Sequence, residues 1–223
     1  MSKELLKEAI IKYLSGVILM GALLFIPAGS LSWPNGWLLM GLLFIPMLIA
    51  GILLYLKAPD LLRSRLNAKE TQDQQKNVIR LSGFLFLASF VLAGLNYRFQ
   101  WHQLPAGVVL CACVVFLLAY LMFREVLREN AFLSRTIEVR KNQTVVDSGL
   151  YGIVRHPMYT ATIFLFLSMP LILNSLISFF IMLFYIPVII MRIQNEETVL
   201  EKELNGYAEY KKKVKYRLLP FVW

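Results

Sequence analysis

Apolar residues in this chain come in long, nearly unbroken runs rather than in the periodic stripes of a soluble amphipathic element. Runs of about 17–25 such residues cross a bilayer as a helix, and they occur at 13–29, 37–56, 81–97 and 106–123. A further block, 159–191, is too long for one span and is interrupted by Pro170, Asn174 and Ser175, so it predicts two short helices closed as a hairpin. The pattern therefore predicts an all-α integral membrane protein of about six transmembrane helices, the last two a short helical hairpin. Ahead of the first run, Leu5, Leu6, Ala9 and Ile10 are interspersed with Lys3, Glu4, Lys7 and Glu8. That predicts an interfacial helix leading into a retained first span, since acidic residues do not suit the basic region of a cleaved leader.

Composition agrees with this class: 58% of residues are hydrophobic, 17% are charged and the mean hydropathy is +0.61, too apolar for an ordinary soluble domain. Charge placement tests the span count independently. Of the 23 Lys and Arg residues, all but Arg98 fall before residue 13 or in the stretches 57–80, 124–158 and 192–223, which are alternate connections and the two ends, and all 14 acidic residues share that side. An odd number of spans destroys this alternation. The excess of basic residues on one side predicts that both termini face the cytoplasm. It also accounts for most of the net charge of +9, through helix ends that favour anionic headgroups. The tail residues Lys211, Lys212, Lys213, Lys215 and Arg217 are thus read as membrane-proximal rather than nucleic-acid binding.

The chain offers little for metals or nucleotides. Cys111 and Cys113 lie two apart inside an apolar run and read as packing residues. His102 sits beside Trp101 as an interfacial anchor, and with His156 the only other histidine no zinc constellation exists. Neither G-x-G-x-x-G nor G-x-x-x-x-G-K follows a strand pattern, which excludes an argument for a Rossmann or P-loop site.

Interest concentrates in the last third, so the chain divides into 1–123, an interfacial helix with four spans, and 124–223, the expected catalytic core. The 57–80 connection, with Gln72, Asp73, Gln74 and Gln75, is polar and predicted to be exposed or partly helical. In 124–158, Phe132, Ile137, Val139, Val145 and Val146 alternate with polar residues before the turn signal Asp147-Ser148-Gly149, a pattern suited to a lid or pocket wall. Next comes Arg155-His156-Pro157-Met158-Tyr159, where Pro157 suits the first turn of a helix whose start favours an anion. On the other arm, Arg192 and Glu196 are four apart, followed by Glu197. Alone, the first two make a surface salt bridge worth at most about 1 kcal/mol, and the cluster then merely anchors helix ends. The hairpin instead brings 155–159 and 192–197 to one membrane face, where such charges mark a functional site. That convergence suits a small charged cofactor meeting a lipid-borne substrate.

The order Ser148-Gly149-Leu150-Tyr151, Arg155-His156-Pro157-Met158-Tyr159, a hairpin, Arg192, Glu196-Glu197-x-x-Leu200, Tyr207-x-x-Tyr210 and Leu219-Pro220 resembles the isoprenylcysteine carboxyl methyltransferase family and related phospholipid methyltransferases, over roughly residues 130–223. The resemblance implies S-adenosylmethionine as methyl donor, held without a Rossmann domain in a cytosolic pocket built from the 124–158 loop and the C-terminal tail. It implies cofactor contacts at Gln143, Thr144, Val145, Val146, Tyr151, Arg155, His156, Pro157, Met158, Tyr159 and Glu196, and Arg192 on the substrate side as a catalytic, acceptor-orienting group. The substrate it implies is lipophilic and enters from the bilayer: a prenylcysteine-like carboxylate, a phospholipid amine or another hydrophobic molecule. A carboxylate is already ionised at neutral pH and needs no base, whereas an amine must lose a proton, for which Glu197 is the candidate base. Gly206 directly before Tyr207 and one residue fewer after Leu200 depart from the family pattern and leave the substrate groove open. Arg-His-Pro-x-Tyr together with Tyr216-Arg217-Leu218-Leu219-Pro220 is also similar to sterol reductases, larger NADPH-dependent membrane enzymes. The membrane is the plasma membrane of a prokaryote or the endoplasmic reticulum of a eukaryote.

Overall fold

In the computed structural model the described residues are 3–66, 73–130, 132–133, 139 and 143–223. Their regular structure is helical: α1 (Lys3–Ala28), α2 (Pro34–Lys57), α3 (Pro59–Leu66), α4 (Asp73–Phe99), α5 (Ala106–Glu129), a 3-10 turn at Gly149–Gly152, α6 (Pro157–Ile172), α7 (Leu176–Leu183), α8 (Tyr185–Glu203) and α9 (Tyr207–Lys213). Among the described residues five stretches are long and apolar enough to span a membrane, the last being 176–203, which α7 and α8 form together. The sixth apolar segment, α6, has only 16 residues. At 1.5 Å per residue it rises about 24 Å, short of a hydrocarbon core about 30 Å thick. Its partner arm of 28 residues rises about 42 Å and carries its last turns clear of the core.

The expected interfacial helix and first span form one continuous helix, α1. It stops where Gly29, at φ +64°, donates its N–H to Phe25 O at 3.0 Å, the left-handed helix end that glycine adopts without strain. The 57–80 connection contains α3 and the first turns of α4, so Gln75 is a fully buried helical residue, not part of an exposed loop. Gln72 and Ile137 lie outside the described residues. The hairpin turns at 173–175: Asn174 takes φ +62°, and Ser175 caps α7 by accepting from Ser178 N. Pro170 remains inside the last turn of α6.

The core fills the space between α1, α2, α4, α5 and α6, with Leu24, Trp33, Leu39, Ala93, Phe116 and Ile172 buried. α1 and α4 pack tightly at Gly94, where an added Cβ falls 2.8 Å from Leu24 O and 2.9 Å from Pro27 Cβ. Small residues permit such contact between membrane helices, where van der Waals packing drives association. Ile18, Ile26, Ile45, Phe84, Leu110 and Leu118 are exposed on the outer faces, as a lipid-facing surface requires. A second cluster joins Val78 and Leu85 of α4 to Tyr159, Met182, Tyr185, Ile189 and Ile193 of the hairpin. A third, Leu204, Tyr207, Tyr210 and Val214, underlies the charged end.

Candidate active site

Gly149 starts the site. It sits at φ +52°, and a Cβ there falls 1.5 Å from Glu129 Oε1, so only glycine lets the turn rest on the end of α5. Leu150 N donates to Glu129 Oε2 at 3.0 Å and fixes that seat. The turn delivers Tyr151, whose hydroxyl accepts from Asn130 Nδ2 at 3.1 Å and whose carbonyl accepts from Tyr210 OH at 2.7 Å. Burial pushes the Tyr151 pKa up to about 12, so its hydroxyl is neutral at any working pH. Burial likewise raises Tyr207 and Tyr210, with Glu197 adding to the shift of each.

After Tyr151 the backbone pairs with the tail: Arg155 N donates to Tyr216 O and His156 N to Arg217 O, both at 2.9 Å. His156 is the cap residue of α6 and Pro157 its first residue. Consecutive residues of a helix lie about 100° apart, and α8 uses this to turn its two carboxylates in different directions. Glu196 lines a pocket also walled by Gln143, Thr144, Val145, Val146, Tyr151, Arg155, His156, Met158, Tyr159 and Arg192. Glu197 instead faces the tail and is 3% exposed. Its Oε1 accepts from Arg155 Nε at 2.7 Å and lies 3.2 Å from His156 Nε2, while Oε2 accepts from Arg217 Nε at 2.9 Å. Arg155 then reaches the carbonyls of Val214 and Lys215 at 2.7 and 2.8 Å, and Thr160 Oγ1 donates to Leu218 O at 2.8 Å. Glu197 is therefore the knot tying hairpin to tail.

On the pocket side, the Tyr159 hydroxyl stands between Arg192 and Glu196. It donates to Glu196 Oε2 and accepts from Arg192 Nε at 2.9 Å. Arg192 Nη1 donates to Gln75 Oε1 at 3.0 Å. The Arg192 guanidinium also lies over the Tyr159 ring, 5.9 Å from its centroid. The simple Arg192–Glu196 bridge suggested by their spacing is thus rebuilt as a relay through a tyrosine.

The structure brings all the expected cofactor residues except Pro157 to one pocket, together with Arg192; Pro157 is buried one position behind the wall. Phe132, in the stretch read as a pocket wall, lines it, whereas sequence reasoning missed Asn130, Leu133, Leu200, Leu204, Tyr207 and Tyr210 as pocket residues. Some were legible: Leu200 follows Glu196 by four, and Tyr207 and Tyr210 are three apart, spacings that share a helix face. The Tyr207 hydroxyl is buried and, among the described residues, has no hydrogen-bond partner. An orphaned hydroxyl beside a carboxylate, a histidine and aromatic faces suits a polar, partly cationic ligand such as S-adenosylmethionine. Among the described residues no group of three or more His, Cys, Asp and Glu is placed to hold a metal ion.

Fold and site together define a class: an all-α integral membrane protein with a polar pocket at the charged end of a helical hairpin. Within it, residues 108–202 match the model of the isoprenylcysteine carboxyl methyltransferase family. The match bears out the resemblance seen in the motifs and supports a membrane methyltransferase. The chain is also 28% identical over 139 residues to a Delta(14)-sterol reductase from Mus musculus, covering 55% of this chain and 33% of the relative. It is 28% identical over 132 residues to the Delta(14)-sterol reductase of Arabidopsis thaliana, covering 54% and 36%. The chain thus spans about a third of the length of these relatives.

Proposed function

We propose that this protein binds S-adenosylmethionine in the pocket between hairpin, loop and tail and methylates a lipophilic acceptor that reaches it from the bilayer, a prenylcysteine-like carboxylate being the acceptor that fits best. The observation that carries this reading is the Glu196–Tyr159–Arg192 relay, which runs from the cofactor set to the acceptor side along one pocket wall. When bound, S-adenosylmethionine supplies a methyl group made electrophilic by its sulfonium. Glu196 accepts from the ligand's ammonium or ribose hydroxyls, and Tyr151 and Tyr159 present aromatic faces to its adenine or cationic centre. Arg192 orients an acceptor carboxylate, and the apolar wall of Leu200 and Leu204 keeps water from the reacting atoms.

Glu197 bears on the acceptor class. Both of its oxygens are committed to Arg155, His156 and Arg217, so the candidate base for an amine acceptor is turned away from the pocket. A carboxylate acceptor requires no base and agrees with this geometry. Oxidoreduction with NADPH is the second reading, favoured by the two sterol reductases matched over half the chain. The pocket is proposed to open toward the cytoplasm, the side that carries most of the basic residues.

Calorimetric titration of the detergent-solubilised protein with S-adenosylhomocysteine, and in parallel with NADPH, tests the reading. Micromolar binding of the former that is lost in Glu196→Ala and His156→Ala is expected. Binding of NADPH alone moves the protein to the reductase class, and silence toward both in a folded sample returns the charged cluster to a structural role.

A further inference from the structure

One partner of the pocket wall comes from the other part of the chain. Gln75, in the first turn of α4, is 0% exposed, and its carbonyl oxygen accepts from Arg192 Nη1 at 3.0 Å. The other end of the same amide is different: Gln75 Nε2 is buried and, among the described residues, has no hydrogen-bond partner. A glutamine that served only to pin α4 to α8 would be satisfied at both ends, because a buried polar group left unpaired is costly. Here the acceptor end is used and the donor end waits beside a guanidinium. Gln75 and the Tyr159 hydroxyl also hold Arg192 at two different nitrogens, which fixes the plane of its guanidinium.

We propose that Gln75 is an acceptor-site residue: it sets the plane of Arg192 and offers its own amide N–H beside it, so that a carboxylate is gripped by one oxygen on Arg192 and by the other on Gln75. The proposal rests on the methyltransferase reading above and deepens it, because it extends the site beyond the family-matched segment into α4. Two adjacent donors match the two oxygens of a carboxylate. An ester, with no charge and one weaker acceptor, satisfies them poorly, so the same pair favours release of the methylated product. In the transfer itself, a carboxylate oxygen forms the new O–CH3 bond as the methyl C–S bond of S-adenosylmethionine breaks. The electron pair stays on the sulfur of S-adenosylhomocysteine, and no proton moves.

The test uses the full chain in detergent, loaded with S-adenosylhomocysteine and titrated with N-acetyl-S-farnesylcysteine and, separately, with its methyl ester. The wild type is expected to bind the acid about tenfold tighter than the ester or more, the worth of one hydrogen bond to a charged group. Gln75→Leu removes the donor, and Gln75→Glu keeps the size and the bond from Arg192 while replacing the donor with a like charge. Both are expected to lower the acid-to-ester ratio about tenfold from its wild-type value, Arg192 keeping the remainder, with S-adenosylhomocysteine affinity unchanged, and Gln75→Glu to keep the melting temperature as well. A preference for the acid that is undiminished in both variants overturns the role of Gln75, and so does a wild type that binds the cofactor product but does not distinguish acid from ester. Loss of S-adenosylhomocysteine binding and melting temperature together in both variants marks Gln75 as a structural strut and also overturns it. A wild type that binds no S-adenosylhomocysteine overturns this proposal and the methyltransferase reading at once.

Discussion

Glu197 is buried among three cationic or ionisable partners, yet it does not itself line the pocket. Removing one member of a buried ion cluster leaves the others uncompensated, which costs about 3–5 kcal/mol where it has been measured. Glu197→Gln is therefore expected to lower stability by about 3 kcal/mol, read as an earlier thermal unfolding in detergent, and to loosen the tail. Glu196→Gln, one residue earlier on the same helix, faces the pocket and is expected to lose S-adenosylhomocysteine binding with little change in melting. An unchanged melting temperature in Glu197→Gln defeats the assignment of Glu197 to the fold. Gly149→Ala makes the complementary case. It forces a Cβ into the Glu129 carboxylate at a left-handed φ, a combination of strain and displaced partner expected to cost about 1–3 kcal/mol. Because the turn carries Tyr151, the same variant is expected to weaken ligand binding even where the protein stays folded; full stability and full binding together would refute the seating of the turn on α5.

At the scale of elements, the contact between α1 and α4 depends on Gly94. Gly94→Leu drives a side chain into Leu24 O and Pro27, and overpacking of this kind is expected to destabilise by about 1–3 kcal/mol, seen as a lower melting temperature with cofactor-product binding intact in the surviving folded fraction. Equal stability would mean that the two helices do not meet there. The hydropathy pattern made the spans legible because lipid demands long apolar runs, and the hairpin was legible because Asn174 and Ser175 are strong breakers inside one. What the pattern hid was polar helix. α4 begins at Asp73, well before its apolar run, and α3 occupies a segment that reads as loop, since a helix outside the hydrocarbon needs no apolar surface all round. Gln75 is the consequence: in the sequence it is one of several polar residues in a connection, and only the third dimension places it against Arg192. The site residues of the hairpin were legible for a different reason. Their spacing on α6 and α8 is fixed by helix geometry, while the tail residue Arg217 reaches Glu197 through a chain reversal that no local signal announces.

For the molecule as a whole, the two ends differ in chemistry and the structure shows which connections share each end. Asn35 Nδ2 donates to Ile172 O at 2.7 Å, Tyr97 OH to Ser32 O at 2.9 Å, and Asn96 Nδ2 to Asn174 O at 3.0 Å, while Leu104 N donates to Asn174 Oδ1 at 2.6 Å. The connections after α1, α4 and α6 therefore meet at one end, the end where Arg98 packs against Gly29. The pocket, the tail and the Arg192–Gln75 contact lie at the other, with Lys12 Nζ donating to Leu66 O there. This is the alternation of basic residues expressed in three dimensions, and the positive-inside bias turns it into a statement about sidedness. In a background of Cys111→Ser and Cys113→Ser, produced in the plasma membrane of a bacterial host, Ser32→Cys is expected to react with a membrane-impermeant maleimide added to intact cells, because Ser32 is exposed at the sparse end. Lys212→Cys, exposed on α9 at the charged end, is expected to react only after the membrane is opened. The reverse pattern would place the pocket outside the cell, where a cytosolic methyl donor does not reach it, and would overturn the proposed function through topology alone. Labelling of both positions in intact cells would show that the two ends do not lie on opposite faces of one bilayer.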